Sequence, residues 1–492
     1  MKLFKMRGGV HPEARKADSS ERPIRILPLP PLLHVPLQQH IGAPAKPVVR
    51  VGEKVLAGQL LGVGQGHVTA PVHAPTSGYV VAIGDHPAPH PSGLSAATVT
   101  IAPDGEGRWF EYEVPADPFV LAPDDISARA GAAGIVGLGG AAFPSSVKLD
   151  ASRQSGVDTL VINGGECEPY LTCDDRIMRE RAAGIVTGIR LIQHAVGAGH
   201  AIVGIEDNKP EALAAMRAAA VATGVQIRAV PAMYPMGWEK QMIHALLGRE
   251  VPAEGRSADI GVLVHNVATA WAVQQAICLA RPLVSRIVTV SGGAVIAPCN
   301  LEVPIGTPVQ ALFDACGGFR TTPARLVLGG PMMGQQIVRT SVPVVKGTSG
   351  VLALTQAEIG RAAPAPCIRC STCVRACPVG LLPLEIAARV RSDDLAGAVA
   401  LGLKDCIGCG SCSYVCPSGI PLVHFFNYAK GDLAAQARSK AKQETTRKLA
   451  AERSARMERI VREREEAAAA RKAAKAAKEA AARAAATTEA AA

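Results

Sequence analysis

The chain has 492 residues, 48% of them apolar, with thirteen cysteines and a formal charge of +10. Two to four domains with ordinary cores fit in that length, which excludes a small protein stapled by disulfides. The opening "MKLFKMRGGVHPEARK" has charge but no apolar centre, so it does not read as a signal peptide, and the best long apolar stretch, "GVLVHNVATAWAVQQAICLA", is broken by His265, Asn266, Gln274 and Gln275, which excludes a bilayer-spanning helix.

Residues 1–120 carry short alternating apolar runs, "PVVRVGEKVLAGQLLG" and "PVHAPTSGYVVAIG", between Gly turns, the pattern of β-hairpins. This region resembles the barrel-sandwich hybrid of biotinyl and lipoyl domains, yet "GHVTAPVHAPTSGYV" has no acceptor lysine, so no covalent swinging arm is expected. His34, His40, His67 and His73 lie here without metal-ligand spacing and read as core or surface histidines.

Across 121–285, strand-like segments ("DTLVING", "HAIVGIE", "DIGVLVHN") alternate with helical ones ("PEALAAMRAAAVAT", "EKQMIHALLG"), which predicts an α/β domain. It holds a glycine-rich stretch, "GIVGLGGAAFPSSVKL", with the spacing Gly137-x-Gly139-x-x-Ala142. On its own that is a weak nucleotide signal, because the preceding "DDISARAGAAG" looks helical rather than extended. Lys148 after the glycines suits a phosphate, and "NGGECEPYLTCDD" adds Asn163, Glu166 and Glu168, a polar cluster able to bond a flavin edge or ribose. Later connections add Glu239, Asn266 and Thr269.

Residues 286–360 begin with paired short strands and a helix, a small α+β unit. Residues 361–430 contain "CIRCSTCVRACPVG" and "CIGCGSCSYVCPSG", both reading C-x2-C-x2-C-x3-C-P. A zinc ribbon closes one tetrahedral site with four thiolates; eight thiolates in two identical quartets fit two [4Fe-4S] clusters. If the ferredoxin cross-over applies, Cys367, Cys370, Cys373 and Cys416 bind one cluster, and Cys406, Cys409, Cys412 and Cys377 the other. Such ligands require a reducing compartment. Cys167, Cys173, Cys278, Cys299 and Cys316 lack ligand spacing and read as buried or incidental thiols.

Residues 431–492 hold fifteen Lys or Arg against nine Asp or Glu, +6 of the total charge, in an Ala-rich stretch of high helix propensity with almost no apolar stripe. A solvated helix is the first reading, a tether to an acidic partner or lipid headgroups the second. Nucleic acid is not an expected partner, since the tail has no stacking aromatics.

The glycine loop, "NGGECEPY", "YPMGWEKQMIHALLGREVP", "HNVATA", "RIVTVSGGAV", "GGPMMG" and the two cysteine runs, in this order, resemble the RnfC (RsxC) family of the Rnf electron transport complex over nearly everything from Gly8 to about residue 430. The α/β part is similar to the flavin-bearing NADH dehydrogenase subunit of respiratory complex I, with Leu138 and Ala142 in place of an arginine and a glycine of that loop. The resemblance implies a multidomain α/β and α+β fold: a barrel-sandwich-hybrid-like domain, a flavin-binding α/β domain, an SLBB-like unit, a dicluster ferredoxin-like domain and the helical tail. It implies FMN at Gly137, Gly139, Gly140 and Lys148, with Asn163, Glu166, Glu168, Asn266 and Thr269 around it and NADH stacking at Phe143. No general acid or base is expected.

The implied activity is electron entry from NADH through FMN and the two clusters. The implied setting is a peripheral subunit on the cytoplasmic side of the bacterial inner membrane, in a complex that couples NAD(H)–ferredoxin electron transfer to ion translocation. Its implied partners are the membrane-embedded subunits and a ferredoxin-like iron-sulfur subunit. A soluble flavin/iron-sulfur oxidoreductase and a flavin-free iron-sulfur relay or scaffold stay open as alternatives.

Overall fold

A computed structural model describes residues 3–90, 92–359 and 363–489. It divides into two units, one up to His424 and one from Phe425 onward.

The first unit begins with a strap that joins no domain of its own. Phe4 donates its N–H to the Ala245 carbonyl (3.1 Å), Gly9 to that of Ala376 (3.0 Å), and Val10 exchanges backbone bonds with Tyr234 (2.8 and 3.0 Å). After a short helix, α1 (Ala17–Ser20), strand β1 (Arg25–Ile26) pairs in parallel with residues Leu301 and Glu302 far along the chain. The composition of residues 1–31 carries no sign of this: these partners lie more than two hundred residues away in sequence, and others, in the 166–172 loop described below and at Arg176 and Glu180, lie about a hundred and fifty away.

Next come two small antiparallel sheets. Strands β2 (Leu33–Pro36), β4 (Lys54–Val55), β7 (Gly78–Pro87) and β8 (Ser95–Pro103) form one in the order β2-β8-β7-β4, and β3 (Lys46–Pro47), β5 (Leu60–Val63) and β6 (Val72–His73) form the other in the order β3-β5-β6. Val35, Leu61, Val80, Val99 and Ile101 turn inward from alternating positions.

Helix α2 (Pro123–Ala132) opens with Pro at its first position and Asp124 and Asp125 in its first turn, both favourable at a helix N-terminus. The helical reading of the segment before the glycine loop therefore holds. After α3 (Ser145–Gln154), the strands β9 (Thr159–Gly164), β10 (His200–Glu206), β11 (Gln226–Val230) and β12 (Val262–Asn266) form an all-parallel sheet in the order β11-β10-β9-β12. Parallel strands covered on both faces need apolar residues on both, and β9 complies: Leu160 and Ile162 face one core, Val161 the other. The crossover helices are α4 (Cys173–Glu180), α5 (Ala182–Val196), α6 (Pro210–Ala219) and α7 (Glu239–Leu247), and α8 (Val267–Cys278) follows the last strand of the sheet. Helices α5 and α8 touch so closely that a Cβ on Gly188 would lie 1.8 Å from the Ala270 carbonyl oxygen.

A six-stranded mixed sheet follows, built from β13 (Ser285–Ser291), β14 (Cys299–Pro304), β15 (Arg325–Leu328), β16 (Gln335–Ile337), β17 (Gly350–Leu354) and the early β1, in the order β1-β14-β13-β17-β15-β16. Helix α9 (Val309–Ala315) packs Leu312 and Phe313 into its core, and α10 (Gln356–Ile359) ends it. The paired strands and helix expected after residue 286 are β13, β14 and α9. The cysteine-rich segment contains α11 (Thr372–Ala376), α12 (Pro383–Arg391), α13 (Leu395–Ala400) and α14 (Ser411–Tyr414).

Helix α15 runs from Leu422 to Glu489, 68 residues. It starts upstream of the change in composition at 431. Within the second unit every side chain from Ala434 to Ala486 is exposed except that of Ile460, as a sequence with no apolar stripe requires. Among the described residues no helix is long and apolar enough to cross a membrane.

Candidate electron-transfer site

The two cysteine runs are close copies in space as well as in sequence. Arg369 and Ser371 hold positive φ (54° and 58°) in the first run, and Gly408 and Gly410 hold it (69° and 77°) at the equivalent positions of the second. At the left-handed position two residues after the first cysteine, the residue's own amide faces back toward the sulfur. Arg369 thus points its N–H at Cys367 Sγ and Gly408 at Cys406 Sγ, both at 3.4 Å. Thr372 donates its hydroxyl to Cys370 Sγ (3.2 Å), and Leu381 its N–H to Cys377 Sγ (3.3 Å). Donors aimed at sulfur are what an anionic thiolate ligand needs.

The runs interleave. Ser418, past the end of the second run, accepts the N–H of Ala365 at its carbonyl (2.9 Å) and donates its hydroxyl to the Pro366 carbonyl (2.9 Å), ahead of the first run. One cavity is lined by Cys367, Cys370, Cys373 and Cys416. On the other side Cys377 sits among Cys406, Cys409 and Cys412; burial, then Cys409, Cys406 and Cys377 around it, push the Cys412 thiol up to about 12. The cavity draws three cysteines from one run and one from the other, Cys377 acts on the second run in the reciprocal sense, and cysteines so interleaved with N–H donors at their sulfurs fit [4Fe-4S] clusters. Cys367 and Cys370 are exposed, whereas Cys377, Cys409 and Cys412 are buried.

The second quartet abuts the α/β domain. Tyr234, buried, donates its hydroxyl to the Cys409 carbonyl at 2.6 Å, and Gln241 donates to the Pro378 carbonyl at 3.2 Å. The strap closes the seam: a Cβ on Gly8 would lie 2.5 Å from the Cys377 carbonyl oxygen. Cys167, Val10, Ala376 and Cys409 share one apolar cluster with Tyr234.

The glycine loop is pinned from below and open above. Gly137 donates to the Phe143 carbonyl (2.8 Å) and Ala142 to that of Gly137 (3.0 Å), which folds the stretch into a tight hairpin. Thr269 accepts the Leu138 N–H at 2.9 Å, and buried Arg286 donates to the Leu138 carbonyl at 3.1 and 3.2 Å. Gly139 and Gly140 are exposed; Gly140 has φ +108° with nothing within 4 Å of where a Cβ would lie, and a Cβ on Gly139 would crowd that of Asn266 at 3.3 Å. An open glycine surface against Asn266 is a cradle that fits a flat ring or a phosphate. Leu138 turns its side chain into the core, and Ala142 holds φ +47°.

Around this loop most side chains named from the sequence are engaged with the protein. Lys148 donates to the Val264 carbonyl (2.7 Å) and pairs with Glu239 (3.3 Å). Asn163 donates to the Gly237 carbonyl (2.6 Å) and accepts the Gly165 N–H (2.9 Å). Asn266 caps α8 by accepting the Ala268 N–H (2.8 Å) while donating to Asp174 (2.6 Å). Glu166 accepts the Asp174 N–H (2.9 Å), and burial, opposed by Lys16, pushes its carboxyl up to about 7. Glu168 turns instead to the "GGPMMG" turn, accepting the N–H groups of Met332 and Met333 at 3.0 and 2.8 Å.

Four residues went unmarked in the sequence. Lys16 on the strap donates to the carbonyls of Glu166, Glu168 and Leu171 at 2.7, 2.9 and 2.6 Å, and so shapes the whole "GGECEPYLT" loop. Arg286, Asp174 and Tyr234 complete the setting. Nothing local distinguishes them from ordinary surface or core residues, because the partner of each side chain lies far off in sequence.

Family models match in the same order as these domains. Residues 4–106 match the RnfC barrel sandwich hybrid domain, 131–275 the Nuo51 FMN-binding domain, 287–336 the SLBB domain and 366–420 the 4Fe-4S dicluster domain. Over 436 residues the chain is 52% identical to the RnfC subunit of the ion-translocating oxidoreductase complex of Rhodobacter capsulatus, covering 88% of this chain and 84% of that one. The chain belongs to the RnfC family.

The RnfC subunit of Pseudomonas aeruginosa is 47% identical over 92% of this chain and 58% of its own length. Among solved structures, a chain of the NAD+-reducing [NiFe]-hydrogenase in its H2-reduced state is similar at TM-score 0.46 and 19% identity, over 65% of this chain and 62% of that one. The RnfC family and its domains bear out the expected fold class, FMN and the two iron-sulfur clusters.

Proposed function

We propose that this member of the RnfC family is the electron-entry subunit of its complex, taking electrons from NAD(H) at the glycine loop and passing them through two [4Fe-4S] clusters to a partner iron-sulfur subunit. The carrying observation is the interleaving of the two cysteine runs, with Cys416 lining the cavity of the first run and the second run seated against the domain that bears the loop. When bound, a flavin converts hydride transfer to single-electron transfer, and iron-sulfur clusters carry the single electrons.

The chain's own residues bind and position. Gly137, Gly139 and Gly140 give the ring and phosphate their surface; Thr269 and Arg286 hold that surface rigid from below. Asn163, Glu166, Glu168 and Asn266 already have protein partners, so we assign them to shaping the cradle. Lys148 meets a phosphate by giving up Glu239 while keeping the Val264 carbonyl. Phe143, half-buried beside the loop, offers a face for nicotinamide. Tyr234, Cys167 and Gly237 form the path of contacts from Asn163 to Cys409, so the quartet of Cys377, Cys406, Cys409 and Cys412 stands inside and that of Cys367, Cys370, Cys373 and Cys416 faces outward to a partner.

We place the chain peripherally on the cytoplasmic face of the inner membrane, bound to membrane-embedded subunits and a ferredoxin-like one, where NAD(H)–ferredoxin electron transfer drives ion translocation. We divide it into units at 1–120, 121–285, 286–360, 361–430 and 431–492.

An anaerobic NADH titration of the iron- and flavin-loaded chain tests the reading. Loss of both flavin and cluster absorbance is the expected result. Flavin that stays oxidised with NADH but is reduced by dithionite would remove NADH as its donor; about eight irons with no extractable flavin would favour a pure relay.

A further inference from the structure

We propose that Cys299 and Cys316 form a reversible dithiol–disulfide pair, a modification site in the six-stranded sheet that takes hydrogen peroxide as its oxidant. Neither residue belongs to the cluster quartets, and nothing in the electron path uses them. Cys299 opens β14 and Cys316 follows the last turn of α9; the Ala297 N–H donates to the Cys316 carbonyl at 3.0 Å and draws the two segments together. Their sulfurs are 3.6 Å apart. A bond requires them to close by about 1.5 Å, within reach of a change in side-chain rotation.

The surroundings favour one sulfur as nucleophile. Arg25 on β1 lies with Nη1 3.8 Å from Cys299 Sγ and donates through Nη2 to the Ala315 carbonyl at 3.4 Å. The Cys316 S–H beside it, with Arg25 and Arg22, holds the Cys299 thiol down to about 7 against burial, so Cys299 presents the thiolate and Cys316 the resolving thiol. Both sulfurs are buried under β1, a strand of two exposed residues pairing at Leu301 and Glu302. A strip so short opens easily, and a small oxidant passes where a bulky disulfide does not.

In the first step the Cys299 thiolate attacks one peroxide oxygen; an S–O bond forms, the O–O bond breaks, and hydroxide leaves to become water on taking a proton. In the second, the Cys316 sulfur displaces hydroxide from Cys299, giving up its own proton to it; the S–S bond forms and the S–O bond breaks. Two thiols and one peroxide give one disulfide and two waters, two electrons passing from sulfur to oxygen. A dithiol reductant reverses the change. The cross-link ties β14 to α9; β14 pairs with β13, which carries Arg286 beneath the glycine loop.

The sequence makes the test clean. No Lys or Arg lies between Ile287 and Phe319, so trypsin releases both cysteines in one peptide ending at Arg320, with no cluster ligand in it. The cofactor-loaded chain is treated with hydrogen peroxide, alkylated under denaturing conditions and digested. The expected peptide carries no alkyl group and is lighter by two hydrogens, and dithiothreitol before alkylation restores two alkyl groups. A doubly alkylated peptide after peroxide has bleached the clusters would overturn the proposal, as would oxygen added to either sulfur with no cross-link. In Arg25→Gln, at an exposed position, the disulfide should form several-fold more slowly; an unchanged rate would overturn Cys299 as the attacking sulfur.

Discussion

The hydroxyl of Tyr234 donates to the carbonyl of Cys409 across 2.6 Å, a direct side-chain bond between the α/β domain and the inner cysteine quartet. Tyr234→Phe leaves that buried carbonyl without its donor and removes a positive dipole end beside the cluster site. The inner cluster should become harder to reduce by tens of millivolts, each 59 mV being about 1.4 kcal/mol for one electron. A redox titration followed by electron paramagnetic resonance should show one signal moving and the other still, with iron content unchanged. Two unmoved signals would deny Tyr234 this role.

The loop and the quartets should lose their cofactors independently. Gly139→Leu fills the space against Asn266, where even a Cβ meets its neighbour at 3.3 Å, and should abolish flavin binding while leaving about eight irons. Cys409→Ala should halve the iron and keep the flavin. Flavin and iron assays on both variants check this; loss of both cofactors from either one would show the two sites to be interdependent.

Lys16→Met leaves the carbonyls of Glu166, Glu168 and Leu171 without their shared donor. At about 1–3 kcal/mol per buried unsatisfied group, partly relieved by relaxation, the chain should lose about 3 kcal/mol. Urea unfolding monitored by tryptophan fluorescence measures the loss, and flavin affinity should fall with it because the same loop carries Glu166.

Acid should weaken the fold through His73 and His265. Burial drives both well below 6.5, to about 3, with Lys346 adding to the effect at His73 and Lys148 at His265. The unfolded chain takes up protons below 6.5 while the folded chain does not, so stability falls as pH drops from 6.5 toward 3. At about pH 5.5 the two together cost about 3 kcal/mol. Urea midpoints across this range test it, and His265→Asn should flatten the slope by about half.

Ending the chain after Lys442 should leave flavin and iron contents unchanged while helical ellipticity drops in proportion to the residues lost. The exposed side chains from Ala434 to Ala486, Ile460 apart, are the reason. A loss of either cofactor would give the tail a part in holding the sites.

Much of the site was legible because its signals are local. A left-handed turn, a sulfur and an amide two residues on are set by the C-x2-C-x2-C spacing itself, and a helix begins at Pro123 or Asn266 for reasons contained in one turn. Glu168 shows the limit. Its place in "NGGECEPY" put it with Glu166, but alternate residues in an irregular loop need not share a direction, and its carboxylate caps the amides of Met332 and Met333 instead.

The sequence by itself determined the alternation of strands and helices, the two cluster runs, the glycine loop and the solvated tail, since each follows from periodicity, spacing or composition over a few turns. Only the tertiary structure decided that residues 3–26 strap the α/β domain, the cluster segment and the six-stranded sheet together, that Lys16 and Arg286 brace the cradle, and that Tyr234 meets Cys409. Those contacts join segments up to hundreds of residues apart. A long-range pair leaves no local pattern, because what fixes it is the burial of a donor and an acceptor in the same place once the sheets have packed.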